Sequence, residues 1–113
     1  MNRGSLLRIG EVAKMYHLSV ELLRYYDKIG LLKPEIVDSD SGYRYYGVKQ
    51  LEHLNLIRFA RTMGIPLERI AKYFHNPQVE NLLDMLNEQQ AALERQKKEI
   101  LSLQHKLKDK VNQ

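Results

Sequence analysis

Two short stretches hold the side chains best suited to chemistry in this chain: Arg24-Tyr25-Tyr26-Asp27, and Asp40-Ser41-Gly42-Tyr43-Arg44-Tyr45-Tyr46. Arginine offers a forked, permanently charged set of donors that matches a phosphate or a guanine edge. A tyrosine hydroxyl bonds phosphate while its ring packs on sugar. Placed at the end of one helical run and beside one turn, these groups suit contact with a polyanion. No nucleophile–base–acid constellation and no phosphate-cradling glycine loop occurs, so the chain reads as a non-enzyme, with no catalytic residue and no cofactor expected. The absence of cysteine excludes a disulfide framework, a thiolate zinc site and a redox thiol together. His17, His53, His75 and His105 lack ligand spacing, so no metal site is expected.

The helical run needs a scaffold. Ile9, Val12, Ala13 and Tyr16 recur at three and four, which predicts a short helix with one apolar face. Ser19 supplies an N-cap hydroxyl, and Val20 to Lys28 continues as a second helix that Gly30 ends. Two helices joined by so tight a turn make a helix-turn-helix. In the second helix Leu22, Leu23, Tyr26 and Ile29 are expected inside, leaving Val20, Glu21, Arg24, Tyr25 and Lys28 to face a DNA groove, with Tyr26 able to join either side. Val20 and Glu21 would lie over base edges, where Glu21 repels phosphate unless it faces a cytosine amine.

The turn residues need a scaffold too. Pro34 blocks a helix, Ile36-Val37 favours a strand, Asp38 to Gly42 is turn chemistry, and Tyr43 to Tyr46 returns as a second strand. The result is a wing carrying Tyr43 and Arg44. Tyr45 and Tyr46 alternate, so one is expected inside and one outside, whereas Tyr16, Tyr26 and Tyr73 are assigned to the core. Leu51, Leu54, Ile57 and Met63 predict a third helix stopped by Gly64. Pro66 sits at a favoured first-turn position for a fourth, through Leu67, Ile70, Ala71 and Phe74. The Gly64-Ile65-Pro66 elbow between them is a candidate second wing.

Asn76-Pro77 is another cap-and-start signal, and beyond it the apolar period becomes seven: Val79, Leu86, Leu93, Ile100, Leu107. The companion positions Leu82, Gln89, Gln96 and Leu103 are apolar only at the ends, which weakens the middle of the seam. A helix from Val79 to Val111 would be about 50 Å long, and a single apolar line on a polar helix that long needs a partner. Self-pairing into a homodimer is the simplest answer, through Val79, Leu82, Leu86, Leu93, Ile100, Leu103 and Leu107. Residues 1–76 are therefore expected to form a winged helix-turn-helix DNA-binding domain, and residues 77–113 a coiled-coil dimerisation helix.

Charge agrees with that division. The net charge is +4; residues 1–78 hold 12 Lys+Arg against 8 Asp+Glu, while residues 79–113 hold 6 against 6. All the positive excess lies on the first module. Met1 to Leu7 lacks the apolar core of a signal peptide, and no later stretch is apolar enough to span a bilayer. A cytoplasmic location with no membrane partner is expected.

Ile9-Gly10-Glu11-Val12-Ala13, then Leu23-Arg24-Tyr25-Tyr26-Asp27-Lys28-Ile29-Gly30-Leu31-Leu32-Lys33-Pro34, then Gly42-Tyr43-Arg44-Tyr45-Tyr46 resemble, in order and spacing, the N-terminal part of the MerR family of bacterial transcriptional regulators. The multidrug-responsive branch is the most similar, and the resemblance runs from Leu7 to the coiled coil. It implies an all-α fold with a small β-hairpin wing: a winged helix-turn-helix followed by a long antiparallel coiled-coil dimerisation helix. It also implies a sequence-specific transcriptional regulator that binds double-stranded DNA, a pseudo-palindromic promoter operator, as a homodimer. RNA polymerase works at the same promoter, and the regulator bends and untwists the spacer DNA. Two rigid modules held at one separation can store contact energy in that distortion, a cost of about 1–10 kcal/mol.

Position by position, Arg24 and Tyr25 match recognition-helix residues, Tyr43 and Arg44 match wing residues that hold the flanking backbone, and Arg61 and Thr62 near the elbow match less closely. Family metal and redox sensors use cysteines near the start of the dimer helix, and none occurs here. Multidrug members carry a separate C-terminal effector domain. The chain is thus expected to be either an excised DNA-binding half, the favoured reading, or a short regulator without its own ligand domain. Two rivals remain open from sequence: an interaction module that docks protein, and a DNA-bending architectural protein that regulates no promoter.

Overall fold

The computed structural model describes residues 5–113; the first four residues of the expected 1–76 domain lie outside the described residues. Its elements are β1 (Leu7–Arg8), α1 (Ile9–Tyr16), α2 (Val20–Lys28), β2 (Ile36–Val37), β3 (Arg44–Tyr46), α3 (Val48–Thr62), α4 (Leu67–His75) and α5 (Val79–Val111). Local chemistry sets most of these bounds. The Glu11 carboxylate accepts the Arg8 N–H at 3.0 Å at the start of α1, and His17 closes that helix in the left-handed region with φ 56°. Ser19 Oγ accepts the Leu22 N–H at 3.0 Å, the bond expected of an N-cap. Gly30 (φ +77°) and Gly64 (φ +84°) end α2 and α3 with a backbone that L-residues avoid.

The wing differs from the expected two-stranded hairpin. It is a three-stranded antiparallel sheet in the order β1-β3-β2, with Leu7 opposite Tyr46 and Arg8 opposite Tyr45, and with Ile36 opposite Tyr45 and Val37 opposite Arg44. A two-residue strand at the chain start leaves no periodic signal. Its consequence is visible in the tyrosines: β3 is flanked on both edges, and both Tyr45 and Tyr46 are buried rather than one in and one out. At the tip, Asp38 Oδ1 accepts the N–H of Asp40 at 2.8 Å and of Ser41 at 3.3 Å.

One core unites the helices. Val12, Leu23, Leu32, Tyr46, Leu54, Ile57, Ile65 and Ile70 are almost wholly buried, each large side chain adding about 1.5–3 kcal/mol of apolar burial. Two expected facings change: Val20 packs against this core instead of projecting freely to a groove, and Ile29 lies at the exposed C-cap of α2. Met63 is likewise exposed at the C-cap of α3. Both caps sit where the helix has already turned away from its buried stripe. Pro66 is the N-cap of α4, and Gln78, not Asn76, is the N-cap of α5.

The last helix has two parts. Secondary structure changes near residue 77, but packing crosses that point. Met85 and Gln89 are buried, and Leu82 and Leu86, two of the expected dimerisation residues, pack against the head's own core. Val79, Leu93, Ile100, Leu103 and Leu107 stay exposed. The free portion gives the molecule its longest dimension of 71 Å. Among the described residues, no helix is long and apolar enough to cross a membrane.

Candidate nucleic-acid interface

A helix-turn-helix and a wing meet at one cleft. The N-terminal end of α1, Arg24 of α2, and Tyr43 and Arg44 of the wing line a hollow of about 460 Å³, together with Arg8 and Lys14. Of the residues expected to contact DNA, the structure therefore brings together Arg24, Tyr43 and Arg44. Tyr25 instead lines a separate hollow of about 480 Å³ with Ile29, Leu67, Ala71 and His75. Arg61 and Thr62 line a third hollow, with Leu18, Leu22 and Arg58, and the Thr62 hydroxyl donates to the Arg58 carbonyl at 2.9 Å. Glu21 and Lys28 are exposed on α2, whereas Val20 is half-buried.

Ion pairing sorts the cations. Arg44 Nε donates to Asp27 Oδ2 at 3.0 Å, and Lys33 Nζ lies 3.7 Å from Asp27 Oδ1. Asp27 thus ties the wing to the end of α2. Arg24 makes no ion pair among the described residues, with Glu21 and Asp27 only one turn away, and is exposed. The lining of the cleft sets four cations, Arg8, Lys14, Arg24 and Arg44, against one carboxylate, Glu11, a balance that favours an anionic ligand.

Two functional candidates were missed in the sequence. Arg8 lies with its guanidinium 4.3 Å from the centroid of the Tyr43 ring, within cation–π reach. Its charged form is favoured first by a side-chain hydrogen bond to Tyr45. Lys14 lines the same cleft from α1. Arg8 becomes visible only when β1 pairs with β3, because that pairing carries it across to the wing.

The floor of the wing is buried. The Tyr46 hydroxyl is buried without a hydrogen-bond partner among the described residues. Burial pushes its pKa up, the Asp27 charge pushes it further, and Arg44 acts in the opposite sense. The phenol therefore stays neutral near the Asp27–Arg44 pair. Among the described residues no group of three or more metal-ligating side chains occurs.

Comparison with known proteins agrees with this geometry. Residues 7–76 match the family model described as MerR HTH family regulatory protein, and residues 51–110 match that described as MerR, DNA binding. The Multidrug-efflux transporter 1 regulator of Bacillus subtilis (strain 168) is 44% identical over 100 residues, covering 88% of this chain and 35% of that protein. The crystal structure of MtaN, the Bacillus subtilis multidrug transporter activator N-terminus, superposes with a TM-score of 0.83 at 26% identity, covering 93% of this chain and 97% of that one. The EcmrR–DNA complex in EcmrR-RPo, seen by cryo-EM, gives a TM-score of 0.70 at 26% identity over 95% of this chain and 40% of that chain. The chain thus spans about a third of the length of the first of these relatives.

Proposed function

This chain belongs to the MerR family of HTH regulatory proteins, and on that premise we propose that it binds promoter DNA as a homodimer and regulates transcription. The observation that carries the reading is the cleft between wing and helix-turn-helix, where Arg24, without an ion pair among the described residues, stands beside Arg8, Lys14 and Arg44. Arg24 and Lys28 of α2 take the groove, with Glu21 and the half-buried Val20 near base edges. Arg8, Tyr43 and Arg44 hold the flanking phosphates, and Tyr25, Arg61 and Thr62 form outlying contacts. The free part of α5 pairs with a second copy in an antiparallel coiled coil through Leu93, Ile100, Leu103 and Leu107, with Val79, Leu82 and Leu86 at its root. Residues 1–76 then act as the DNA-binding head and 77–113 as the dimerisation helix.

Two heads held at a fixed separation grip a pseudo-palindromic operator and distort the spacer, altering how RNA polymerase reads the same promoter. The setting is the cytoplasm, and the family is one of regulators rather than enzymes. The exposed apolar line on α5 favours this over a monomeric DNA-bending module, and the unpaired cations favour it over a protein-docking module. Fluorescence anisotropy with a labelled duplex tests it. A dimer that neutralises about six to ten phosphates loses roughly 10³ to 10⁵ in affinity between about 50 and 200 mM salt. A flat salt response would remove DNA as the ligand.

A further inference from the structure

Gln89 is the one buried polar residue among those described. A side-chain amide inside a protein needs partners, because leaving its donors unmet costs free energy. Gln89 Nε2 donates to the Met63 carbonyl at 2.8 Å, across 26 residues of chain. That carbonyl has no partner of its own helix. Where α3 ends, the Ala60 carbonyl is taken by the Ile65 N–H and the Arg61 carbonyl by the Gly64 N–H, and the carbonyl of the C-cap Met63 is left over. The long helix supplies what the elbow lacks. Gly64 is part of the fit: a Cβ there would stand 3.2 Å from Gln89 Nε2.

Two neighbours complete the junction. Met85, one turn earlier, is buried in the head's core, and Glu88 forms an ion pair with Arg69 of α4. Met85, Glu88 and Gln89 therefore hold α5 from adjacent directions, against α3 and α4 together. Beyond this point the helix has no such grip, since from Leu93 onward every residue is exposed. Gln89 is the last place where the head fixes the direction of the helix. The remaining length is roughly 33 Å, so a tilt of about 5° at Gln89 displaces the far end by about 3 Å.

We propose that Gln89 is a positioning residue: its bond to the Met63 carbonyl fixes the angle between the DNA-binding head and the dimerisation helix, and so the separation of the two heads. This rests on the homodimeric reading above. It assigns to Gln89 a role in spacing rather than in dimer affinity, which explains a polar residue at a position the heptad would fill with leucine. Operator spacing and the degree of DNA distortion are then set at the elbow, far from the residues that touch DNA.

The chain lacks cysteine, so a single Met15→Cys change on the exposed face of α1 gives one nitroxide site per protomer. Pulsed electron resonance then reads the head-to-head distance without DNA. The labelled parent is expected to give one narrow distance. Adding Gln89→Met, of similar volume but without a donor, is expected to shift or broaden it by about 3 Å or more while helix content by circular dichroism is kept. Gln89→Leu serves as the second variant should Gln89→Met fold poorly. On duplexes selected from a random pool, the parent's preference for one half-site spacing is expected to drop at least about tenfold in the variant. Unchanged distance and spacing preference in a folded variant overturn the role of Gln89 alone. A broad distance in the parent overturns the rigid junction and leaves DNA binding standing. A monomeric parent, which gives no distance, overturns the homodimer and this inference with it.

Discussion

Replacing Asp27 by alanine sets two expectations of opposite sign against each other. Removing an acidic side chain beside a DNA-binding cleft strengthens phosphate binding if charge alone decides, by a few tenths of a kcal/mol at about one Debye length. The structure predicts the reverse. Asp27 holds Arg44 at 3.0 Å, with side-chain exposures of 20% and 34%, so the pair lies between an exposed bridge at about 0.2–1 kcal/mol and a charged hydrogen bond at about 1.5–3 kcal/mol. A value of about 1–2 kcal/mol is the resulting estimate. Without it the Arg44 side chain is free to leave its place in the cleft, and that ordering must be recovered when DNA binds. Net of the relieved repulsion, Asp27→Ala should weaken DNA binding by about 1 kcal/mol, roughly fivefold. Anisotropy titration at fixed salt measures it, and a double-mutant cycle with Arg44→Ala isolates the pair. Tighter binding by Asp27→Ala, or additive effects of the two changes, would refute the wing-anchor argument.

Other outcomes follow from the same geometry. Arg24→Ala should cost roughly 1–3 kcal/mol of DNA affinity without altering the melting temperature, since Arg24 anchors nothing in the fold; both are read by anisotropy and circular dichroism. Ile100→Asp places a charge on the exposed apolar line and should shift the chain towards monomer in sedimentation velocity while the head stays folded. His53 stacks on Phe74 with ring centroids 4.6 Å apart, and burial, then Lys49, lower its pKa from the ordinary 6.5. A lowered folded pKa means the unfolded chain binds the proton more readily, so its share of stability is present above pH 6.5 and fades as pH falls from there through the lower folded pKa. Thermal melts between neutral and mildly acid pH should show the decline, and His53→Phe should flatten it.

Much of the architecture was legible because its signals are local. Ser19, Gly30 and Gly64 act through their own side chain or backbone freedom, so α1, α2 and the end of α3 follow from nearby residues. The seven-residue period from Val79 to Leu107 likewise marked one unbroken helix. What escaped depends on partners distant in sequence. β1 is two residues long and exists only by pairing with β3, and with it went the burial of both Tyr45 and Tyr46 and the placing of Arg8 in the cleft. Gln89 read as a gap in an apolar seam, but the bond to Met63 makes it a junction. Leu82 and Leu86 fit the heptad and also pack on the head, which a one-dimensional period cannot distinguish. Within the site, residue type suggested Arg24, Tyr43 and Arg44, and the fold supplied the reason that Arg24 is unpaired while Arg44 is not: Asp27 points to the wing.

The most direct test of the account combines selection of bound duplexes from a random pool with the mass of the complex formed on the selected sequence. Two chains on one duplex, over inverted half-sites at a single preferred spacing, is the predicted result. One chain per duplex, half-sites at indifferent spacing, or no enriched sequence at all would contradict it.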